Sequence, residues 1–187
     1  MANLPLRPPA VFAKASASLD VISGGRFELG LGASAFWEAV GAMGGPAHSP
    51  GEAVDALGEA IDVIRLMWSD QRSVRFDGRH YRLSGVKPGP QPAHDLGIWL
   101  GVRGRRTLAL VGRTADGLVP SSPWAPPEKL PAFTAQIDDA AAAAGRHPAA
   151  IRRIYNMCGS TRENGTDGFL QGTVERRADD VGGRARF

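Results

Sequence analysis

The sequence predicts an α/β protein built on a parallel sheet, and three observations lead to that class. Short apolar segments with a strand pattern alternate with segments of helical apolar spacing. The 187 residues are 43% hydrophobic and 22% charged, which is typical of a globular domain with a real core. The chain has neither a complete Rossmann glycine fingerprint nor a Walker loop, which argues against doubly wound nucleotide-binding folds. Strands that alternate with helices imply right-handed crossovers and therefore parallel strands.

Composition narrows the classes of partner and compartment. No apolar run approaches the roughly 20 residues that span a bilayer, and the first residues lack the apolar core of a signal peptide. The single cysteine, Cys158, excludes an internal disulfide framework. The net charge is only +3, and the basic residues are scattered among acidic ones. We therefore expect a cytoplasmic protein with no membrane, nucleic-acid or metal partner.

The first predicted helix begins at Pro8-Pro9, because proline suits the first helical turn, and ends at Gly24-Gly25. Four apolar residues at helical spacing predict its buried face: Val11, Phe12, Ala15 and Leu19.

The segment Arg26–Gly32 follows and alternates strictly, as a half-buried strand does. Its large apolar side chains are Phe27, Leu29 and Leu31, and the opposite face carries Glu28, Gly30 and Gly32. In a barrel, inward glycines leave a gap where side chains would otherwise fill the interior. Such a gap is room for a ligand; the alternative is a bulge or a close backbone contact.

A predicted loop over Ala33–Pro50 is rich in glycine, alanine and proline. It carries Phe36, Trp37, Met43 and His48. Its aromatic residues can cover a planar ligand or pack against the rim of the sheet. His48 is the strongest candidate for a general base, although a solitary loop histidine is more often solvated.

Glu52–Trp68 is the clearest helix, with one apolar stripe and charged residues mostly elsewhere. Val74–Leu83 alternates around Asp77-Gly78, which predicts a two-residue β-hairpin outside the main alternation. Three prolines between residues 88 and 92 then give an extended lead-in to the next strand.

The segment Gly97–Thr107 predicts a buried strand, a glycine turn and the start of a helix. A helix N-terminus presents unpaired N–H groups and a positive dipole end, and Gly101 and Gly104 allow an anion to approach the backbone. Three arginines suited to phosphate lie in or just after the turn: Arg103, Arg105 and Arg106. This turn is predicted to hold the phosphate of a flavin-like cofactor. The alternative is an ordinary connection with solvated arginines.

The remaining sequence continues the alternation. A helix from Thr107 to Ala115 is followed by a strand at Leu118–Ser121, a helix from Pro126 to Ala144 and a strand at Ile151–Gly159. Gly159–Gly168 is a polar loop, Thr173–Val181 is weakly helical, and residues 182–187 form an unstructured tail.

The stretch Leu19–Gly32 resembles the signature of the bacterial luciferase-like monooxygenases, a group of flavin- and deazaflavin-dependent oxidoreductases built on TIM barrels. The resemblance runs from about Leu4 to about Val181. Further matching pieces fall in the family's order: the helix ending at Trp68, Phe76–Tyr81, Pro88–Pro90, Gly97–Gly101 and Ala115–Gly117.

The resemblance implies an incomplete TIM (β/α)8 barrel, roughly strands four to seven with their helices and a hairpin insertion, in one domain over residues 1–187. A closed barrel typically takes about 250 residues and eight strands. The first three strands and the end of the barrel have no counterpart here, which suggests a fragment, a mis-called gene or a truncated member.

The resemblance also implies a site. The loop after the fifth strand binds the cofactor's phosphate, and this place is occupied by Gly101, Val102, Gly104 and Arg105. The loop after the fourth strand borders the flavin, and its residues are Gly32, Ala33 and Ser34. The implied enzyme is an oxidoreductase or monooxygenase that uses FMN or coenzyme F420 on a small organic substrate. No catalytic residue is identified.

Two other functions stay open at this point. An open parallel sheet has unpaired edges, so the chain can instead be a non-catalytic remnant or interaction module that forms a homo-oligomer through them. A third function is binding of phosphate ligands or RNA by Arg103, Arg105 and Arg106, which predicts a steep dependence of affinity on salt.

Overall fold

A computed structural model describes residues 2–33, 37–46, 48–161 and 169–182 of the chain. The chain divides into two compact units: Met1–Leu100 with Thr114–Asp116, and Gly101–Arg113 with Gly117–Phe187. Each unit combines helices with parallel strands, so the predicted α/β class is confirmed.

The first unit contains a parallel sheet, five of whose neighbouring segments match the sequence prediction in type. Its elements are β1 (Ala2–Asn3), α1 (Pro9–Ser23), β2 (Leu29–Gly32), α2 (Trp37–Ala42), α3 (Pro50–Met67), β3 (Val74–Asp77), β4 (Arg82–Val86) and β5 (Ile98–Leu100), with a short 3-10 turn at Leu4–Leu6. β2 lies between β1 and β5, and both pairings are parallel. Leu29 pairs with Ile98 and Leu31 with Leu100, and these four side chains are fully buried. The alternation of the predicted strand therefore does place its leucines in the core.

Helix α1 has the predicted ends but not the predicted buried face. Gly24 ends it in a left-handed conformation with φ 68°, which glycine adopts without strain. Val11 and Leu19 are exposed, whereas small residues, including Ala13 and Ala17, are buried. The reason is close helix packing: the Trp68 indole N–H at the end of α3 donates to the backbone oxygen of Ala13 at 2.9 Å. Small side chains permit that approach, while large ones remain outside.

The segment between β2 and α3 is not the continuous loop that was predicted. It contains the short helix α2, so the loop prediction is wrong over Trp37–Ala42. Phe36 lies outside the described residues. α3 begins at Pro50, two residues before the predicted Glu52, because Ser49 forms a capping box with Glu52.

The predicted hairpin is confirmed, since β3 and β4 pair antiparallel around Asp77-Gly78. The Glu59 carboxylate on α3 accepts the backbone N–H groups of Arg79, His80 and Tyr81 at 2.9, 2.8 and 3.0 Å. A Cβ at Gly78 would lie 2.3 Å from Glu59 Oε2, so this turn needs a glycine. The hairpin is thereby fixed against α3, and with it the side chains of His80 and Tyr81.

The Ala115–Gly117 motif has a structural role in the first unit. Asp116 Oδ2 accepts the N–H of Ile98 at 2.8 Å and the Arg65 guanidinium at 2.9 Å. The Asp116 N–H also donates to the Ile98 carbonyl at 2.9 Å. One carboxylate therefore joins the start of β5 to α3.

The second unit continues the alternation with shorter strands than predicted. Its elements are α4 (Arg105–Thr114), β6 (Gly117–Leu118), α5 (Leu130–Ala143), β7 (Arg152–Arg153), β8 (Ser160–Thr161), β9 (Gln171–Gly172) and α6 (Val174–Gly182), with 3-10 turns at Pro127–Lys129 and Pro148–Ala150. β6 and β7 are parallel, with Gly117 opposite Arg152. A Cβ at Gly112 would lie 2.5 Å from the Ile137 carbonyl oxygen, which shows how closely α4 and α5 pack.

Three boundaries of the second unit differ from the sequence prediction. The strands predicted at Leu118–Ser121 and Ile151–Gly159 shrink to two residues each, with one further bridge between Ser121 and Asn156. The predicted polar loop contains β8, and its part over 162–168 lies outside the described residues. The weak helix is confirmed as α6, while the tail over 183–187 is again outside them.

Within the described ranges, no helix has the length and hydropathy required to cross a membrane.

Candidate functional site

A recess of about 220 Å³ opens in the first unit, at the carboxyl end of β2. Gly32 and Ala33, two residues predicted to border a cofactor, both line it. Ser34, the third, lies outside the described residues. Ligand sites in α/β folds form at the carboxyl ends of parallel strands, so the location suits a binding site.

The walls of the recess are mostly apolar, and its polar groups belong to rings. The apolar lining consists of Leu4, Pro5, Ala53, Ala56 and Leu57. The ring side chains in the lining are Trp37, His48 and Tyr81. A pocket with hydrocarbon walls and a few polar groups is the usual design of a small-molecule site.

His48 stands between two other rings. Its ring centroid is 6.2 Å from that of Trp37 and 5.5 Å from that of His80, with interplanar angles of 80° and 89°. Both arrangements are edge-to-face, a preferred geometry for aromatic pairs. The sequence identified His48 as a candidate but gave no sign that His80 would adjoin it.

The Tyr81 hydroxyl is held in its protonated form. Burial raises the pKa of the Tyr81 phenol, and the neighbouring negative charge of Glu59 raises that pKa further. Burial also acts to raise the pKa of Glu59, but the hydrogen bonds from the His80, Tyr81 and Arg79 amides outweigh burial, and the Glu59 pKa falls. At neutral pH the recess therefore carries a phenolic O–H donor beside an ionised carboxylate.

His80 contains a buried polar atom without a partner. Among the described residues, its Nε2 makes no hydrogen bond although solvent does not reach it. Buried polar atoms are nearly always hydrogen-bonded, so each exception requires an explanation.

The predicted phosphate turn lies in the second unit, before and at the start of α4. Gly104 and Arg105 are exposed, Gly101 is half-buried, and Val102 is buried. The Thr107 hydroxyl accepts the Gly104 N–H at 3.1 Å and donates to the Gly104 carbonyl at 2.8 Å. Thr107 thus fixes the turn, and the Gly104 amide is already bonded within the helix end.

The three arginines of this region do not act as one group. The Arg103 side chain donates to the Trp124 carbonyl at 3.2 Å, and its Cζ lies 5.4 Å from the Trp124 ring centroid. Arg105 and Arg106 instead occupy the first two positions of α4. This division counts against the third function, which required all three guanidiniums on one ligand.

A second polar cluster in the first unit was missed by the sequence analysis. Asp20 on α1 is completely buried, and its carboxylate lies 2.9 Å from His94 Nδ1 and accepts the Ala93 N–H at 2.7 Å. His94 Nε2 lies 3.6 Å from Glu28 Oε1, and Glu28 Oε2 accepts the Gly97 N–H at 2.9 Å. Because Glu28 and Gly97 directly precede β2 and β5, this cluster lies at the amino ends of those strands.

The position of the Asp20–His94 cluster indicates a structural function. Gly32, which lines the recess, is at the other end of β2, and the amino ends of barrel strands generally serve stability. In the described part of the chain, no group of three or more metal-binding side chains comes together.

Parallel strands with a ligand-sized recess at a carboxyl end define the ligand-binding part of an α/β barrel. The sequence model of the family described as luciferase-like monooxygenase matches residues 1–167. The chain belongs to this family, which confirms the resemblance.

Two similar relatives are F420-dependent glucose-6-phosphate dehydrogenases. The enzyme of Nakamurella multipartita is 30% identical over 149 residues, which cover 80% of this chain and 43% of the relative. The enzyme of Intrasporangium calvum is 32% identical over 116 residues, which cover 61% of this chain and 34% of the relative.

Solved structures agree in fold. An F420-dependent secondary alcohol dehydrogenase in complex with an F420-acetone adduct matches with a TM-score of 0.75 and 23% identity, over 82% of this chain and 46% of that one. A riboflavin lyase with modified FMN matches with a TM-score of 0.72 and 20% identity, over 88% and 41%. The chain therefore spans less than half the length of these relatives, and its described strands do not close into a barrel.

Proposed function

We propose that this chain provides the cofactor-phosphate site of an F420-dependent oxidoreductase that acts on a small organic molecule. Of the two candidate cofactors, F420 is supported by the named relatives, since similar enzymes from two bacteria are F420-dependent dehydrogenases. FMN remains the competing cofactor, because a riboflavin lyase with modified FMN shares the fold.

The observation that carries this proposal is the charge at the start of α4. Arg105 and Arg106 are its first two residues, and the first turn has no acidic residue. A cation near a helix N-terminus opposes the helix dipole and costs about 0.3–1 kcal/mol. Two such cations destabilise the free helix, and a bound phosphate would reverse the sign of that effect.

The donors of the turn suit a phosphate group. Arg105 is exposed and offers a planar guanidinium that can bind two oxygen atoms of one phosphate. Gly101 and Gly104 keep side chains away from the approaching anion, and the buried Val102 anchors the turn. Thr107 preorganises the turn through its two bonds to Gly104.

When bound, F420 supplies hydride transfer, while the protein supplies binding and orientation. In this proposal Arg105 holds the phosphate, and Gly32, Ala33 and Ser34 border the ring system. Small residues at these positions let a planar ring approach the backbone.

Titration of the whole chain with F420 and with FMN, followed by cofactor fluorescence, tests the proposal. We expect saturable binding of F420, and we expect Arg105→Ala to weaken it about 10-fold or more, as for a hydrogen bond to a charged group. Arg113→Ala removes the same charge from the last turn of α4 and is the matched control, with little expected effect.

Two results would contradict the proposal. One is the absence of binding of either cofactor by the folded chain. The other is an equal loss of affinity in the Arg105→Ala and Arg113→Ala variants, because that would indicate general charge attraction rather than a phosphate site.

A further inference from the structure

The ring side chains of the recess have no role in phosphate binding. We propose that His48 and Tyr81 recognise the oxygen atom of a small, largely apolar ketone or alcohol, and that His80 positions the His48 ring. The inference rests on the proposed function in one respect, since this molecule would be the substrate of the oxidoreductase.

The size and walls of the recess define the body of the ligand. Its volume of about 220 Å³ lies below the roughly 300–1,000 Å³ of pockets for drug-sized ligands. Five of its lining residues carry only hydrocarbon side chains: Leu4, Pro5, Ala53, Ala56 and Leu57. A charged ligand would lose its hydration against these walls without compensation, whereas an apolar body is favoured.

His48 and Tyr81 define the polar end of the ligand. An imidazole and a phenol can each donate or accept one hydrogen bond, so together they suit both a carbonyl and a hydroxyl oxygen. The raised pKa of Tyr81 keeps its O–H available as a donor at neutral pH. Trp37 completes this side of the recess with an aromatic ring.

His80 acts through His48 rather than on the ligand. Its backbone N–H is held by Glu59 at 2.8 Å, and its ring meets that of His48 edge-to-face at 5.5 Å. Trp37 contacts His48 in the same manner at 6.2 Å. The His48 ring, which lies in a connection between two helices, is therefore oriented by two rings that belong to other segments.

The test uses the whole chain with ¹⁵N-labelled histidine. The four histidines are His48, His80, His94 and His147, and the ring-nitrogen signals of the last two serve as internal references. The probes are cyclohexanone and methylenecyclohexane, which have the same shape but differ in the oxygen atom. We expect saturable shifts of the His48 ring nitrogens with cyclohexanone only, and tighter binding of cyclohexanone.

Variants separate recognition from packing. His48→Leu and Tyr81→Phe each remove one hydrogen-bonding group and should weaken cyclohexanone binding about 2- to 10-fold, without effect on methylenecyclohexane. His80→Phe keeps a ring against His48 and should retain the His48 nitrogen shifts, whereas His80→Ala should lose them. His147→Gln, in the second unit, is the control and should change nothing.

The wild-type measurement alone can overturn the inference. Equal affinity for both probes, no binding of either, or shifts confined to His94 and His147 would each do so. If His80→Ala leaves the His48 shifts intact, the positioning role is overturned. If cyclohexanone binds as expected but F420 and FMN do not, the proposed function fails while the recognition of the oxygen atom stands.

Discussion

Replacing a histidine with phenylalanine should have opposite effects on stability at His80 and at His94. His80 Nε2 is buried and, in the described structure, has no hydrogen-bond partner. His94 Nδ1 lies 2.9 Å from Asp20 Oδ1, a carboxylate that is itself completely buried. The same substitution therefore removes an unsatisfied atom at one position and a bonded one at the other.

The magnitude at His80 follows from the penalty for an unsatisfied buried group, which is about 1–3 kcal/mol. Phenylalanine keeps a ring against His48 and removes the unsatisfied nitrogen. The added ring atom requires slight repacking, which reduces the gain. We expect His80→Phe to raise the free energy of unfolding by roughly 1 kcal/mol once this repacking is included.

At His94 the expected sign is the reverse. His94→Phe leaves the Asp20 carboxylate with only the backbone N–H groups of Ala93 and His94, at 2.7 and 3.2 Å. A buried charge that loses its partner destabilises a fold strongly. The Glu28 carboxylate, 3.6 Å from His94 Nε2, loses the same neighbour.

Urea unfolding followed by tryptophan fluorescence measures both effects, with wild-type protein and His147→Phe for comparison. The reasoning is refuted if His80→Phe destabilises the protein as much as His94→Phe. A rise in stability together with weaker cyclohexanone binding would show instead that His80 Nε2 is retained for function, since functional sites often sacrifice stability.

Two backbone features give further stability predictions. Gly78→Ala should destabilise the protein by about 1–3 kcal/mol, because the new Cβ would lie 2.3 Å from Glu59 Oε2, whereas Gly41→Ala on α2, with no neighbour within 4 Å, should be neutral or stabilising. A similar loss in both variants, measured by urea unfolding, would contradict this account. Ser49→Ala should cost about 1 kcal/mol by removing the capping box with Glu52, and Ser49→Asp should restore most of it; an unchanged unfolding midpoint in Ser49→Ala would exclude a role for the cap.

Local patterns in the sequence were sufficient for the elements that frame the site. The strict alternation around Leu29 and Leu31 predicted both the core face of β2 and the small residues at its end. The buried face of α1 was missed because hydrophobicity favours Val11 and Leu19, while close packing on α3 selects small residues such as Ala13. Helix packing depends on the partner surface, which a single segment does not contain.

The interactions that define the two polar clusters join distant parts of the chain, and for that reason the sequence pattern did not reveal them. His48 and His80 meet only because Glu59 holds the hairpin turn. Asp20 and His94 are 74 residues apart, and no local spacing connects a helix residue with a residue before β5. The signal that was available for Asp20 is an acidic residue within the predicted apolar helix segment, flanked by Leu19 and Val21.

The Asp20–His94 pair should also make stability depend on pH. The hydrogen bond with Asp20 raises the pKa of His94, while burial opposes this and the charges of Asp20 and Glu28 add to it. Burial acts to raise the pKa of Asp20, but the His94 ring and the Ala93 and His94 amides outweigh burial, and the Asp20 pKa falls.

The sign of each contribution follows from linkage. Because the His94 pKa is raised on folding, its stabilisation is complete below the ordinary histidine value of about 6.5 and is lost as pH rises through the folded pKa. Because the Asp20 pKa is lowered, its stabilisation is complete above the ordinary aspartate value of about 3.9 and is lost as pH falls through the folded pKa.

The pair therefore contributes most between these limits, and the free energy of unfolding should be higher at about pH 5.5 than at about pH 8.5. His94→Gln keeps a polar side chain that does not titrate, so its pH dependence over this interval should be flatter than that of the wild type. Urea midpoints at both pH values give the comparison, and His147→Gln, which leaves the pair intact, should retain the wild-type difference. Equal pH dependence in His94→Gln and the wild type would mean that the pair does not govern stability in this range, and that the stabilising protons bind elsewhere.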